Sequence, residues 1–257
     1  MKEWWQRFFI PLTAEVMFQP RLVQAKKEVQ QILKQVPIPK KARVLDLACG
    51  TGRHSLQFAK KNYQVTGLDF TKNFLKDAQK AALKAKLPID FVHGDMKNLK
   101  PHFDTNEFDL VVSLFNSFGY FHVRSNDLKM LKEVHRVLKP GGRLVINTLN
   151  GDGVKLAMAK PVSNGREPIK NVFMIDKAYF DPKKKKTFAE WTIVDVRKPK
   201  AKVERLLFDQ NVYTHAELKG LLKKAGFRIE NVWGMLEGGS FSSKTTWHQT
   251  IVAKKLK

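Results

Sequence analysis

The 257-residue sequence predicts an α/β fold, a parallel sheet covered by helices on both faces. Three observations carry that expectation. Short apolar runs of strand length alternate with stretches of helical period between residues 43 and 149. A glycine turn, Gly50-Thr51-Gly52, joins the first of these runs to a helical pattern. Carboxylates then stand at the ends of the following runs, where open parallel sheets bind ligands.

The elements follow in order. Trp4, Trp5, Phe8 and Phe9 recur at helical spacing, with Lys2 and Arg7 between them. This predicts a helix packed on the main domain as core or lid; a helix lying on a membrane surface is the alternative. Pro20 suits the first turn of a helix that Leu22, Val29, Ile32, Leu33 and Val36 continue on one face, ended by Pro37 and Pro39. Val44, Leu45 and Leu47 make the first strand, and Leu56, Phe58 and Ala59 start the helix after the glycine turn. Tyr63–Leu68 is the second strand and ends at Asp69. Thr71 caps a helix to about Lys86 whose stripe is Phe74, Leu75, Ala78, Ala82 and Leu83. Ile89–Val92 and Phe108–Leu114 are strands three and four. Ser125 or Asn126 caps a helix to Leu138, and the turn Leu138–Gly142 feeds a fifth strand, Arg143–Leu149.

Residues 151–212 change character. Val172–Phe180, Phe188–Val196 and Val203–Phe208 alternate as antiparallel strands, with turns at Asp181-Pro182-Lys183 and Pro199-Lys200. Thr214 and Glu217 form a capping box for a helix ending near Gly226. Phe227–Trp233 and Thr246–Lys254 supply two last strands.

Composition bounds the function. No stretch approaches the roughly 18–20 apolar residues of a membrane span, so no integral membrane segment is expected. Cys49 is the one cysteine, which excludes a disulfide framework and a cysteine zinc cluster; no metal is expected, and the natural compartment is cytoplasmic. The net charge of +23 is spread evenly, +12 over residues 1–150 and +11 over the rest. A lysine-rich solvated surface is the plain reading, and a nucleic-acid partner is the alternative. Oligomeric state stays open.

Asp69 stands seventeen residues after Gly52, and a carboxylate there accepts hydrogen bonds from ribose hydroxyls; capping the helix at Thr71 is its other reading. Asp95-Met96 ends strand three and suits an adenine, one polar and one apolar contact; a turn aspartate is the alternative. Asn116-Ser117-Phe118-Gly119-Tyr120 follows strand four, next to the glycine loop. His122, beyond that loop, is the best candidate for a proton acceptor, followed by His248 and Tyr120; packing is the competing role for each.

The segments VLDLACGTGRHS, VTGLDF, FVHGDMKNL, FDLVVSLFNSFGYF and KEVHRVLKPGGRLVINT resemble the class I S-adenosylmethionine-dependent methyltransferases, specifically over residues 43–149 and more weakly to the last strand. EWWQRFF is similar to the aromatic start of a group of small bacterial members. The resemblance implies a doubly wound, Rossmann-like sheet of seven strands with the last strand antiparallel. The patterning divides the chain into lid helices over 1–40, a core from 41–150 and 213–257, and a small inserted antiparallel sheet over 151–212 that is expected to cover substrate. Asp46, Ala48, Gly50 and Gly52 would surround the methionine and ribose of S-adenosylmethionine. Asp69 would hold the ribose, Asp95 and Met96 the adenine, and Leu114–Asn116 would lie beside the methionine end.

Departures from the pattern are also visible. Many relatives cover the cofactor with an N-terminal tyrosine; residues 1–40 hold none, which leaves Trp5, Phe8 or Phe9 as cover. Asn211 and Val212 stand before Tyr213 where many relatives carry an arginine. Asn116 is followed by Ser117, so the asparagine-proline-proline-aromatic motif of amino-group methylases is absent. The implied reaction is methyl transfer to an oxygen or nitrogen of a small-molecule acceptor, with RNA methylation as the rival and a noncatalytic cofactor-binding regulator as a third reading. A nicotinamide enzyme shares the glycine turn and Asp69, but the GDM and LKPGG segments argue against it. Phe173, Tyr179, Trp191, Trp233 and Phe241 are the expected walls of an acceptor pocket.

Overall fold

The computed structural model describes residues 4–256; Lys2, read above as part of the N-terminal stripe, lies outside them. The chain opens with α1 (Trp5–Phe8), α2 (Pro11–Phe18) and α3 (Gln24–Gln35). There follow β1 (Arg43–Leu47), α4 (Arg53–Ala59), β2 (Gln64–Asp69), α5 (Lys72–Lys84), β3 (Ile89–His93) and β4 (Phe108–Ser113). Next come α6 (Ser125–Val137), β5 (Leu138–Leu149), α7 (Gly151–Ala157), β6 (Val162–Ile169), β7 (Val172–Asp181), β8 (Lys186–Asp195) and β9 (Lys202–Asn211). The chain closes with α8 (His215–Lys224), β10 (Phe227–Trp233) and β11 (His248–Lys255).

Seven strands form one sheet in the order β10-β11-β5-β4-β1-β2-β3. β1 lies between β2 and β4, parallel to both, and β11 runs antiparallel to β5 and β10. The expected seven-stranded, doubly wound sheet with its last strand antiparallel is therefore what the chain adopts. Both faces are apolar because both are covered. Leu45 and Leu47 join the core under α6 and α8, whereas Val44, Leu110 and Val112 join the core with Val29, Ile32 and Phe58 of α3 and α4.

Local chemistry refines several boundaries. The N-terminal stripe is one helical turn, because Pro11 starts α2 at its favoured first position. Leu22 lies before α3 and is exposed; Ala25, Val29 and Ile32 form the buried stripe. Thr71 precedes α5 without a side-chain cap; instead its backbone N–H donates to Asp69. Neither Ser125 nor Asn126 caps α6, whose first turn opens on Arg124. The capping box at α8 forms as expected: Thr214 Oγ1 accepts from the Glu217 N–H at 3.2 Å, and Glu217 accepts from the Thr214 N–H at 3.0 Å. The stretch from Leu138 to Gly142 belongs to β5, pairing Phe108 with Leu138 before the register shifts to Leu110 with Arg143.

The second sheet is antiparallel, in the order β6-β7-β8-β9. The sequence reading found β7, β8 and β9 but not β6, whose run holds Gly165 and Pro168 and is mostly exposed. One face of this sheet packs on the N-terminal helices: Val172, Met174, Ile193 and Leu206 form a cluster with Trp4, Trp5, Phe8, Leu12 and Val16. Phe173, Ile175 and Tyr179 alternate with these and stay exposed on the other face.

Candidate functional site

The carboxyl ends of β1, β2, β3 and β4 open into one chamber of about 890 Å³, its mouth included. Seven of the nine residues expected to hold a cofactor line it: Asp46, Ala48, Gly50, Asp69, Asp95, Met96 and Leu114. Gly52 and Asn116 do not. Gly52 starts α4 beside Ala78 and Phe91. The Asn116 side chain turns to His248, with 3.2 Å between Nδ2 and Nε2.

The floor is built by backbone that turns sharply as the strands end. Ala48, one residue past β1, and Phe115, two residues past β4, both have positive φ, 59° and 58°. Such conformations cost energy and cluster where a ligand must meet the backbone. Gly50 takes a left-handed backbone (φ 57°) that favours glycine, and a Cβ there would press on the Phe18 ring at 3.2 Å. Asp69 fixes this loop. One of its oxygens accepts from the Gly50 N–H at 2.8 Å and the other from the Thr71 N–H at 2.7 Å. It is thus both a cap for the start of α5 and a clamp on the glycine loop. Each oxygen keeps a further lone pair, and Asp69 lines the chamber. Burial raises the carboxyls of both Asp69 and Asp46. Asp95 accepts from the Lys97 N–H at 3.0 Å and pairs with the Lys97 ammonium.

The roof is aromatic and comes from the N-terminal helices. Trp5, Phe9, Met17 and Phe18 line the chamber, with Phe70, Phe74, Phe115, Tyr120 and Phe121 from the core. Trp5 meets Phe70 edge-on at 4.3 Å. Of the three aromatics considered as cover, Trp5 and Phe9 line the chamber, while Phe8 packs on Trp191 and Phe208 of the small sheet. The expected walls from the second half of the chain are elsewhere. Phe173 and Tyr179 face outward, Trp191 packs on Phe8 and Phe208, Trp233 is core, and Phe241 lies against His215.

What the small sheet contributes is a brace. Gln210 Nε2 donates to the carbonyls of Asn116 (2.9 Å) and Phe118 (2.7 Å). Asn211 Nδ2 donates to the Phe121 carbonyl (2.7 Å) and to Asp127 (2.8 Å), and its N–H donates to the Gly119 carbonyl (2.7 Å). The loop after β4, which supplies Phe115, Ser117, Tyr120 and Phe121 to the chamber, is thus held from β9. Asp127 is buried and also accepts from the Tyr213 hydroxyl at 2.7 Å; burial pushes its carboxyl up to about 6.

The candidate proton acceptors are not brought to the chamber as a set. His122 is exposed and faces Asp209 at 3.6 Å, outside the lining. His248 is half-buried, and desolvation pushes it down to about 4, so it is neutral and accepts from Asn116. Tyr120 lines the chamber, and burial raises its hydroxyl well above the usual range. A network the sequence reading missed lies beside Asp46. Glu28 of α3 binds both Arg53 and His54 at 2.6 Å. Its signal was an acid on the apolar stripe Ala25-Val29-Ile32. Burial would raise the Glu28 carboxyl, but hydrogen bonds from His54 and Arg53 prevail and hold it low.

Known proteins match this arrangement. Residues 44–142 fit the family model described as a methyltransferase domain. YqeM of Bacillus subtilis (strain 168), named as a methyltransferase, is 39% identical over 110 residues, 43% of each chain. The demethylmenaquinone methyltransferase of Staphylococcus epidermidis is 37% identical over 119 residues, 45% of this chain and 46% of that one. These matches span less than half the length of either curated relative. An S-adenosylmethionine-dependent methyltransferase of Clostridium acetobutylicum shares the fold, with a TM-score of 0.78 over 96% of this chain and 95% of that one at 17% identity. Residues 44–142 thus match a methyltransferase domain, and the whole chain shares the fold of a protein described as an S-adenosylmethionine-dependent methyltransferase. Both of those curated relatives are bacterial proteins.

The chamber fits that cofactor. A side-chain-free cradle at Gly50, two carboxylates at adjacent strand ends and an apolar roof suit a nucleoside carrying a positively charged sulfur. Among the described residues no His, Cys, Asp and Glu cluster suits a metal ion, and no helix is long and apolar enough to cross a membrane.

Proposed function

We propose that the protein transfers a methyl group from S-adenosylmethionine to an oxygen or nitrogen of a small-molecule acceptor. The observation that carries this reading is the roof: chamber walls that are aromatic and aliphatic, with Arg53 the one Lys or Arg among the lining residues. Enclosed apolar walls with few polar groups suit a small organic molecule. A flat nucleic-acid face needs basic side chains beside exposed aromatics. The relatives named demethylmenaquinone methyltransferases point the same way, by their names.

In this reading Asp69 accepts from the ribose hydroxyls, Asp95 and Met96 take the adenine, and Leu114 borders the methyl-bearing end; that all four line the chamber supports it. S-adenosylmethionine, when bound, supplies a methyl group on a sulfonium that is already a good leaving group. The residues of the chain therefore act mainly by holding and aligning, a contribution worth about 7–11 kcal/mol in favourable cases. The roof excludes water from the reacting centre, and the β9 brace fixes the loop that faces it. A second hollow lies between Trp4 and the alanine-lined middle of the small sheet, at Ala178 and Ala189. Trp4 separates it from the chamber by its contact with Tyr120, 5.1 Å between ring centres. The acceptor reaches the chamber from this side. The test is transfer of labelled methyl groups into a cell extract separated into small-molecule, RNA and protein fractions. Label in the small-molecule fraction supports the proposal; label confined to RNA replaces it with the RNA reading.

A further inference from the structure

The net charge of +23 plays no part in the chamber, where Arg53 is the one Lys or Arg on the wall. It belongs to the outer surface, and one part of that surface is also apolar. The open face of the small sheet carries Phe173, Ile175 and Tyr179 from β7 and Val203 and Leu207 from β9, side chains that are 45–66% exposed. They share a face by register. Phe173 pairs with Val194 and Val194 with Val203; Lys177 pairs with Glu190 and Glu190 with Leu207. The Tyr179 ring stacks on Phe188, 5.2 Å between centres. Such a strip covers roughly 300–600 Å², the size at which an exposed apolar patch is often functional.

Cations stand at both ends of the strip. The turns that join β6 to β7 and β8 to β9 lie together, since the Val196 N–H donates to the Asn171 carbonyl at 3.0 Å. They carry Lys170, Lys198 and Lys200, next to the row Phe173-Val194-Val203. The turn between β7 and β8 carries Lys183 and Lys184 at the other end. Lys170, Lys177, Lys183, Lys198 and Lys200 are exposed and pair with no carboxylate among the described residues. The acids nearby are engaged. Glu190 faces Arg205 at 3.7 Å, Asp209 is held by Lys186, and Asp195 is held by Arg197 at 2.6 Å. Asp181 accepts from the Lys183 and Lys184 N–H groups at 2.9 and 3.0 Å, and Glu167 from the Asn171 N–H at 2.6 Å.

An apolar strip bounded by uncompensated ammonium groups complements a surface that is apolar within and anionic at its edge. We propose that the open face of the small sheet is a docking surface for an anionic lipid bilayer. The strip enters the interface, and the end-turn lysines meet the headgroup phosphates. Tyr179, with an apolar ring and a polar tip, suits the same boundary. A second copy of the chain would instead bring another +23 to the contact. A nucleic acid would need the cations among the aromatics, and here aliphatic side chains fill the middle. The N-terminal aromatic stripe offers no such surface, because Trp4, Trp5 and Phe8 are buried.

The test is sedimentation of the full chain with vesicles, without methyl donor or acceptor, so that its failure leaves the reading of the chamber untouched. Vesicles of phosphatidylcholine alone are compared with vesicles of three parts phosphatidylcholine to one part phosphatidylglycerol, at low and at high salt. The variants are Phe173→Ser with Ile175→Ser, and Lys198→Gln with Lys200→Gln, each pair checked for folding by circular dichroism. The unaltered chain is expected to bind the anionic vesicles about tenfold tighter or more than the neutral ones, and less tightly in high salt. Each pair of substitutions is expected to weaken that binding about tenfold, the first by removing apolar area and the second by removing charge. If the first pair fails to fold, Leu207→Ser takes its place. No binding, or equal binding to the two kinds of vesicle, overturns the proposal. Binding that the apolar substitutions leave unchanged overturns it too, because the contact is then diffuse charge and not this face. A lipid-free chain that light scattering finds dimeric, and that the apolar substitutions make monomeric, also overturns it and gives the face to a second copy.

Discussion

In the seven-stranded sheet both faces are buried, and the ligand-facing residues stand at strand ends. In the small sheet one face is covered by α1 and α2 and the other is open, and what a residue does depends on which face it takes. A strand end is fixed by where the apolar run stops. A face is fixed by parity, and a shift of one residue reverses it. This is why Asp46, Asp69 and Asp95 converge on the chamber as expected while Phe173 and Tyr179 point away from it. The small sheet acts on the chamber through Gln210 and Asn211 at the end of β9, again by strand-end residues.

The comparison breaks most sharply at Gly119. Its φ is 97°, and a Cβ there would lie 2.4 Å from the Asn211 carbonyl oxygen. Gly119→Ala is expected to part the loop from β9 and lower stability by about 3 kcal/mol, read from urea unfolding. Unchanged stability would mean that the brace does not hold the loop.

Asp127 sharpens the comparison through pH. Its native carboxyl titrates at about 6, above the roughly 3.9 of an unfolded chain. The native state therefore binds more protons between these values, and stability falls as pH rises from about 4 to about 6. Asp127→Asn keeps the acceptor for Tyr213 and removes the titration. Across this window the variant should gain up to about 3 kcal/mol on the unaltered chain, measured by parallel urea melts. A flat difference would contradict the raised value.

Gln210→Ala removes two hydrogen bonds to the loop and leaves the fold otherwise intact. It is expected to weaken S-adenosylhomocysteine binding by about 1 kcal/mol, a several-fold loss by calorimetry. The smallest effect belongs to the open face: Phe173→Ser should change stability by less than about 0.5 kcal/mol and leave that affinity unaltered. A large loss of affinity there would place the outer face in the site.

How far the sequence carried can be read from particular residues. The place of Asp69 on the chamber wall was legible because the distance from Gly52 follows from one helix and one strand, but its clamp on the Gly50 N–H was not, since that contact forms only when the ends of β1 and β2 meet. The fourth strand of the small sheet was hidden because β6 is a mostly exposed edge strand with glycine and proline and carries little alternation. His122 was chosen for following the right loop, but Gln210 and Asn211 fold that loop so that Tyr120 and Phe121 face in and His122 faces Asp209. Arg53 was passed over because its partner, Glu28, is 25 residues away on another helix.

The central claim is that the strand-end wall holds the donor nucleoside, and titration of S-adenosylhomocysteine onto the full chain and its Asp69→Ala variant tests it most directly. The account predicts binding to the unaltered chain, no binding of nicotinamide dinucleotides, and a loss of about 1.5–3 kcal/mol in the folded variant. Equal affinity in the two proteins, or binding of a nicotinamide dinucleotide in place of S-adenosylhomocysteine, would contradict it.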